Sequence, residues 1–472
     1  MSVGRFHSSI GRLRWSAGIA AGLAAGCGVP PPSAELKNEL VRAGVADAIV
    51  FQTHGGPVDV GASDPEVLDL PTAVQRALQT DPDVQAALSR VRAAEAEADQ
   101  ARLLPNPIVS VLSRFPENSG KPVIEADLGF DLLSVIQKPG RVSAADHRLR
   151  SASAEVVSAV LGTIAALEER YAAVQSLDAQ MPVFEEQHKL IARLHRLAQD
   201  RLSHGEGTRL DVTTLETRML SLEVETADKR LARRQERLAL ARLIGEPSGS
   251  AEWKLSSWVA PTAIGPESAW IAAALQRRPE VQSQRWELAA LGVETRLARF
   301  SPFEPAELGV KAEHDIGEPW TVGPAVSAPI PLFDWGQARR AKAAALQIEA
   351  EHKLTKIRRE VIEEVRKAHA AYVEAMSAVR LARDRLVPAQ ERRRSDTEAA
   401  YVAGQTDVTT LILADQDLQA AKAKLIELEE KASTSLVQLQ RAVGGPGVAA
   451  ALGDTSAATR PATAPAGISP NR

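Results

Sequence analysis

Ala77-Leu78-Gln79-Thr80-Asp81-Pro82-Asp83-Val84-Gln85 returns as Ala274-Leu275-Gln276-Arg277-Arg278-Pro279-Glu280-Val281-Gln282, 197 residues further on. A second pair, Asp211-Val212-Thr213-Thr214-Leu215 and Asp407-Val408-Thr409-Thr410-Leu411, repeats at 196 residues. Matches this far apart at nearly one offset mark a tandem duplication of a unit of about 200 residues. A duplicated unit constrains architecture more than any single motif, because both copies fold to one order of elements.

That order is legible in each copy. A helical stretch comes first, Pro71–Leu103 and then Glu267–Arg299. Pro82 and Pro279 interrupt it near its start, and Pro105 and Pro302 stop it. Two short extended runs follow. Next comes a very long helical stretch, Arg141–Ser203 and Gly336–Ala403, in which Pro182 and Pro388 predict a kink or break. A turn follows, His204-Gly205-Glu206-Gly207 and Ala403-Gly404-Gln405, and then a last helix, Asp211–Ile244 and Asp407–Val443. Asp211 and Asp407 stand where helix caps are expected. The long stretch of the first copy predicts about 95 Å of helix, and its two shorter stretches stacked end to end about 100 Å. Two shorter helices therefore run beside one long one, and a tube of paired helices results. Leu411, Ala414, Leu418, Ala421 and Leu425 form a heptad seam along the last helix.

The bulk composition agrees and excludes other classes. Ala, Leu, Glu, Arg and Gln dominate the middle of each copy, as in long helices. The net charge of −4 gives no sign of a nucleic-acid partner. No run of about 18 apolar residues exists, so no membrane-spanning helix is expected, which leaves membrane strands open. The single cysteine, Cys27, rules out a disulfide within the chain. Arg5, Arg12 and Arg14 precede a mildly apolar stretch, 15–27, that ends in small residues and reads as an export signal. Its end resembles a bacterial lipobox with Cys27 as the lipid attachment site, although Leu23 lies four residues before the cysteine rather than three. A plain signal peptide with an incidental cysteine is the alternative.

The expected division is a signal segment over 1–27, an N-terminal linker over 28–67 and a first repeat over 68–245. An inter-repeat segment covers 246–266, a second repeat 267–445, and a disordered Ala/Thr/Pro-rich tail 446–472.

Val123–Asp131 alternates cleanly, with Ile124, Ala126, Leu128 and Phe130 against Glu125, Asp127, Gly129 and Asp131. Glu307–Glu313 alternates likewise, Leu308, Val310 and Ala312 opposing Glu307, Lys311 and Glu313. Val322, Val326, Ala328 and Ile330 continue the apolar set, and Ile108–Ser113 supplies a weaker run. Alternation alone suits a half-buried soluble sheet equally well. Position favours a membrane barrel, since each strand pair sits at one end of a tube about 100 Å long with no apolar segment to cover it. Open sheet edges in lipid leave peptide groups unpaired at several kcal/mol each, so four strands require further copies of the chain. Three copies would supply about twelve strands.

Ala328-Pro329-Ile330-Pro331-Leu332-Phe333-Asp334-Trp335-Gly336-Gln337-Ala338-Arg339-Arg340 resembles the strand-to-long-helix junction of the TolC family of outer-membrane efflux channels. Leu103-Leu104-Pro105-Asn106-Pro107 is similar to that family's helix-to-strand junction, and Ala400-Tyr401-Val402-Ala403-Gly404-Gln405-Thr406-Asp407-Val408 to its second helix-tip turn. The resemblance extends from about Leu68 to Gly445. It implies a mainly α chain with a small β part: a TolC-like, duplicated helix–strand–strand–long helix–helix unit. It further implies a homotrimer with a twelve-strand outer-membrane β-barrel and a periplasmic α-helical tunnel. A periplasmic adaptor protein and an inner-membrane pump would complete a tripartite, RND-type system exporting small molecules or metal ions, with no cofactor.

On that resemblance, Glu125, Asp127, Glu307, Lys311 and Glu313 line the lumen, while Ile124, Leu128, Leu308 and Val326 face lipid. Phe130, Phe333 and Trp335 fall at the interface, against simple packing at a corner. Gly205, Gly207, Gly404 and Asp407 fall at the tunnel entrance and adaptor contact. Asp407 would either form an acidic ring there or merely cap its helix; the founding member's acidic gate positions are occupied by Thr410 and Leu413. No catalytic constellation or nucleotide loop is present, so no enzyme is expected. His188 and His195 lie too far apart along one helix for a shared metal ion, and Glu313-His314-Asp315 is expected in an external loop. The structural alternative is a lipid-anchored periplasmic coiled-coil scaffold or adaptor, whose strands would form a compact soluble domain.

Overall fold

The computed structural model describes residues 49, 51–52, 67–115, 122–256, 264–315 and 319–446. Cys27 with the expected export signal, and all of the tail beyond Pro446, lie outside the described residues.

The repeated string forms the same joint in both copies. Asp81 is extended between α1 (Leu70–Thr80) and α2 (Pro82–Arg102), and Arg278 between α5 (Glu267–Arg277) and α6 (Pro279–Leu297). A proline fixes φ for the first helical turn and pushes its predecessor out of helical geometry, which explains both breaks. The caps then diverge. Asp81 accepts bonds from the N–H groups of Asp83 and Val84, whereas Arg278 makes no cap and pairs with Glu280 at 2.9 Å and with Glu364 on the long helix.

The long helix of the first copy, α3 (Leu132–Ser203), has 72 residues, about 108 Å. It begins at Leu132, before the Arg141 expected. Asp131, the last residue of a strand, caps it by accepting from Ser134 N–H at 2.9 Å, so strand passes into helix without a loop. Pro139 is carried inside the helix. Gly140 stands where α6 crosses, and a Cβ there would come within 2.6 Å of Leu297. The break expected at Pro182 is absent, and α3 passes through it. At Pro388 the expectation holds: a π-helical turn, Ala382–Leu386, separates α7 (Gln337–Leu381) from α8 (Val387–Val402). The last helices are α4 (Arg209–Leu243) and α9 (Val408–Ala442).

Four strands form one antiparallel sheet in the order β2 (Ile108–Arg114), β3 (Val123–Asp131), β5 (Glu307–Asp315), β6 (Thr321–Ser327). Glu313-His314-Asp315 therefore belongs to a strand rather than a loop, because the pairing with β3 continues to Val123↔Asp315. Below the sheet its order persists: α2 packs on α3, α3 on α6, and α6 on α7. Further down, α4 packs on α3, α3 on α9, and α9 on α7 and α8.

The inter-repeat segment is packed into the fold. Its strand β4 (Lys254–Leu255) pairs in parallel with β1 (Val67–Leu68), and Ala251 and Trp253 are buried against α1, α3 and α4. Arg237 of α4 holds it by donating to the carbonyls of Ala251 and Trp253, both at 2.9 Å, while pairing with Asp178 of α3 at 2.7 Å. Tyr171 donates to the Leu68 carbonyl at 2.9 Å.

One 18-residue window of α3 is apolar enough to cross a membrane, but 61% of it is buried by neighbouring elements, as in an ordinary core helix.

Candidate functional site

Register turns the alternation of single strands into two continuous faces. Glu125 lies opposite Glu313 and Leu112, Asp127 opposite Lys311 and Ser110, and Asp131 opposite Glu307. Residues directly opposite point to one side, so these groups share a face that also carries Thr321 and Ser327. The other face carries Val109, Val111, Ile124, Leu128, Phe130, Leu308, Val310, Val322 and Val326. Most of that apolar face is exposed, Val326 at 74% and Val111 at 68%. A soluble sheet would cover such a surface, and no described element does.

Within the polar face Glu125 is only 8% exposed, because Arg114 at 2.6 Å and Lys311 at 3.1 Å close over it from both neighbouring strands. It is thus a neutralised anchor between strands, with Asp127, Glu307 and Glu313 the more accessible acids. Sequence reasoning missed Arg114, which follows the last residue read as extended.

Both outer edges of the sheet, β2 and β6, lack a partner strand among the described residues. β2 precedes β3 in a hairpin and β5 precedes β6 in another, so β2 and β6 run in opposite directions. A second copy could place its β2 beside β6 in antiparallel register and repeat the pattern indefinitely. The helical part has matching unpartnered surface: Leu220, Val224, Leu231 and Leu238 of α4 follow heptad steps and are all exposed.

Exposed apolar and aromatic groups also crowd the strand–helix junction. Phe130 is half-exposed on the apolar face, and Phe333, at 91%, and Trp335 project from the segment joining β6 to α7, where Ile330 and Leu332 are exposed too. That segment is fixed by Gly336 at φ 70°, whose N–H donates to Asp334 at 2.8 Å while Arg339 holds the same carboxylate. A Cβ at Gly336 would come within 2.6 Å of Ser301 Oγ, so both the dihedral and the space require glycine.

At the opposite end the two helix tips meet. Gly205 and Gly404 take φ 78° and 71° just past the ends of α3 and α8, and the N–H groups of Gly207 and Gln405 donate back to Arg201 and Ala400. Leu190, Ile191, Leu194 and Leu215 pack against Tyr401, Leu411 and Ile412, joining the tips of both copies. Arg201 lies over the Tyr401 ring at 5.6 Å.

Asp407 is the N-cap of α9, accepting from Thr410 N–H at 2.9 Å. In the first copy the cap is Thr208 rather than Asp211, which instead completes a capping box from the third helical position. The Thr208-x-x-Asp211 spacing carried that signal. Hydrogen bonds from the Thr410 side chain and backbone hold the Asp407 carboxyl below the ordinary carboxylate range. A lowered folded value means the cap contributes above the unfolded pKa and is lost as pH falls through the folded one. Protection of the Thr410 and Leu411 amides, relative to their intrinsic exchange at each pH, should therefore fall as pH drops below the ordinary aspartate range, and Asp407→Asn should remove that acid dependence. Equal acid dependence in both proteins would disprove the link.

No group of His, Cys, Asp and Glu among the described residues is arranged to hold a metal ion. His188 sits 3.9 Å from Glu223 and is not joined to His195.

The two halves of the chain each match the model of the outer membrane efflux protein family, over residues 73–246 and 270–445. The fusaric acid resistance protein FusA of Burkholderia cepacia is 31% identical over 182 residues, 36% of this chain and 33% of FusA, so the match spans a third of that relative's length. Among solved structures, the outer-membrane channel OprN superposes with a TM-score of 0.68 at 19% identity, covering 80% of this chain and 90% of OprN. The outer membrane protein VceC of Vibrio cholerae superposes at 0.66 and 18% identity, covering 80% and 96%.

Proposed function

The chain belongs to the outer membrane efflux protein family, and from that premise we propose that it is the outer-membrane channel of a tripartite efflux system. In this role it is a passive duct, working as a homotrimer that carries small molecules or metal ions from the periplasm to the exterior. A periplasmic adaptor protein and an RND-type inner-membrane pump supply cargo and drive. The observation that carries this reading is the bare apolar face of a sheet with two free, oppositely directed edges. Lipid is the solvent that tolerates such a face, and closure is the only arrangement that satisfies such edges there. Four strands from each of three copies give about twelve, above the minimum of about eight for bacterial barrels.

In the closed trimer Glu125, Asp127, Glu307, Lys311 and Glu313 line the lumen, and Ile124, Leu128, Leu308 and Val326 face lipid. Phe130, Phe333 and Trp335 form the girdle at the periplasmic interface. The exposed α4 stripe packs on the neighbouring copy's helices. Gly205, Gly207, Gly404 and Asp407 ring the tunnel entrance, where the adaptor docks. Cys27 carries the lipid anchor. The name of FusA points to organic acids as one class of cargo.

Purified full-length protein should migrate as a heat-modifiable trimer and conduct ions across a planar lipid bilayer. A monomer that leaves the membrane once its lipid anchor is cut, and that never conducts, would establish the scaffold alternative instead.

A further inference from the structure

Between the two helix pairs, about 12–27 Å from the tip turns, α3 and α9 leave a cavity of about 630 Å³ that α8 borders through Arg394. Its floor is polar and unsatisfied. Asp415 is 1% exposed with Oδ2 free of any hydrogen bond, and Gln419 is 9% exposed with Oε1 likewise free. Buried polar atoms without partners are uncommon and ask for an occupant. The rim is cationic. Lys189 and Arg193 have no acidic partner within 4.0 Å among the described residues, and Arg196 bonds only the Ala192 carbonyl of its own helix. The other charges at the cavity are accounted for: Lys422 pairs with Glu186 at 3.6 Å, Arg394 with Glu398 at 3.2 Å and His188 with Glu223 at 3.9 Å. Arg218 of α4, also within range of Asp415, pairs with Glu225 at 3.0 Å.

Three unmatched cations above two unmatched oxygens define a ligand with two different ends. We propose that this cavity binds a small organic carboxylate that also carries a hydrogen-bond donor, a cargo of the duct. Lys189, Arg193 and Arg196 hold its carboxylate, and Gln419 and Asp415 take up its donor. The inference rests on the duct reading, since it assigns the site to cargo. Burial raises the Asp415 carboxyl above the ordinary range, against the pull of Gln419, Arg394, Lys422 and Arg218. Protonation removes a negative charge facing an anionic ligand, so affinity should fall as pH rises.

Isothermal titration of the assembled full-length channel with 4-hydroxybenzoate and benzoate tests this. The hydroxylated probe should bind more tightly. Arg193→Gln with Arg196→Gln, both on the exposed rim, should weaken it by about tenfold or more. Gln419→Leu should erase the difference between probes. Asp415→Asn should flatten the pH dependence, while His188→Gln leaves it intact. Absence of saturable binding, or binding indifferent to the rim substitutions, overturns the site. Bilayer conductance of the same preparation separates the two proposals: conduction without binding defeats the cavity alone, and loss of conduction defeats the duct.

Discussion

Val310→Arg should abolish the outer-membrane form of the protein. Val310 lies in the middle of β5 on the apolar face, opposite Leu128 on one side and Pro324 on the other. An arginine near the bilayer midplane of a barrel costs about 2–4 kcal/mol, and the penalty recurs in every copy of a trimer. Asp127→Arg makes a good control. It places the same charge on the neighbouring strand, on the polar face and opposite Lys311. Membrane fractionation and heat-modifiable migration should show the Val310 variant missing from the outer membrane and the Asp127 variant present. Normal assembly of the Val310 variant would mean that this face does not meet lipid.

Asp178→Ala should be the most damaging single change in the helical part. It strips the counter-charge from Arg237, whose side chain is 5% exposed, and also from Arg233 at 2.6 Å. Leaving a buried charge unpaired costs about 3–5 kcal/mol. The loss should concentrate in the inter-repeat segment, because Arg237 is what ties 251–253 to α4. Limited proteolysis should open the chain near Trp253 in the variant, alongside a lower melting temperature in detergent. Glu252→Ala breaks an exposed pair with Arg234 in the same segment, and exposed pairs contribute about 1 kcal/mol or less. Equal sensitivity of the two variants would refute the anchoring role of Arg237.

Much of this architecture was legible in the sequence for physical reasons that can be named. Pro82 and Pro279 fix backbone geometry wherever they occur, so both joints were visible. The faces of β3 and β5 were visible because their period of two is unbroken. β2 was weak because Ile108 and Leu112 fall on the polar face, opposite Gly129 and Glu125. The first nine residues of α3 were missed because Pro139 lies inside the helix, and Gly140 beside it packs against Leu297, 157 residues away in sequence. The packing of the inter-repeat segment escaped notice because 246–256 has no periodicity, and its bonds run from Arg237 and Gln175 to backbone carbonyls that no residue type advertises. Asp415 was hidden within the heptad seam of Leu411 to Leu425, where spacing alone does not reveal a buried acid.

The two long helices differ in one respect, since α3 runs 72 residues without interruption while α7 and α8 are joined through a π turn. The first copy supplies an uninterrupted spar, and the second one whose hydrogen-bond pattern shifts at the π turn. A ring assembled from six identical half-length chains would have six equal staves. In the proposed trimer, three duplicated chains would instead alternate uninterrupted and π-interrupted staves around the circle, an asymmetry that two unlike halves of one chain make available.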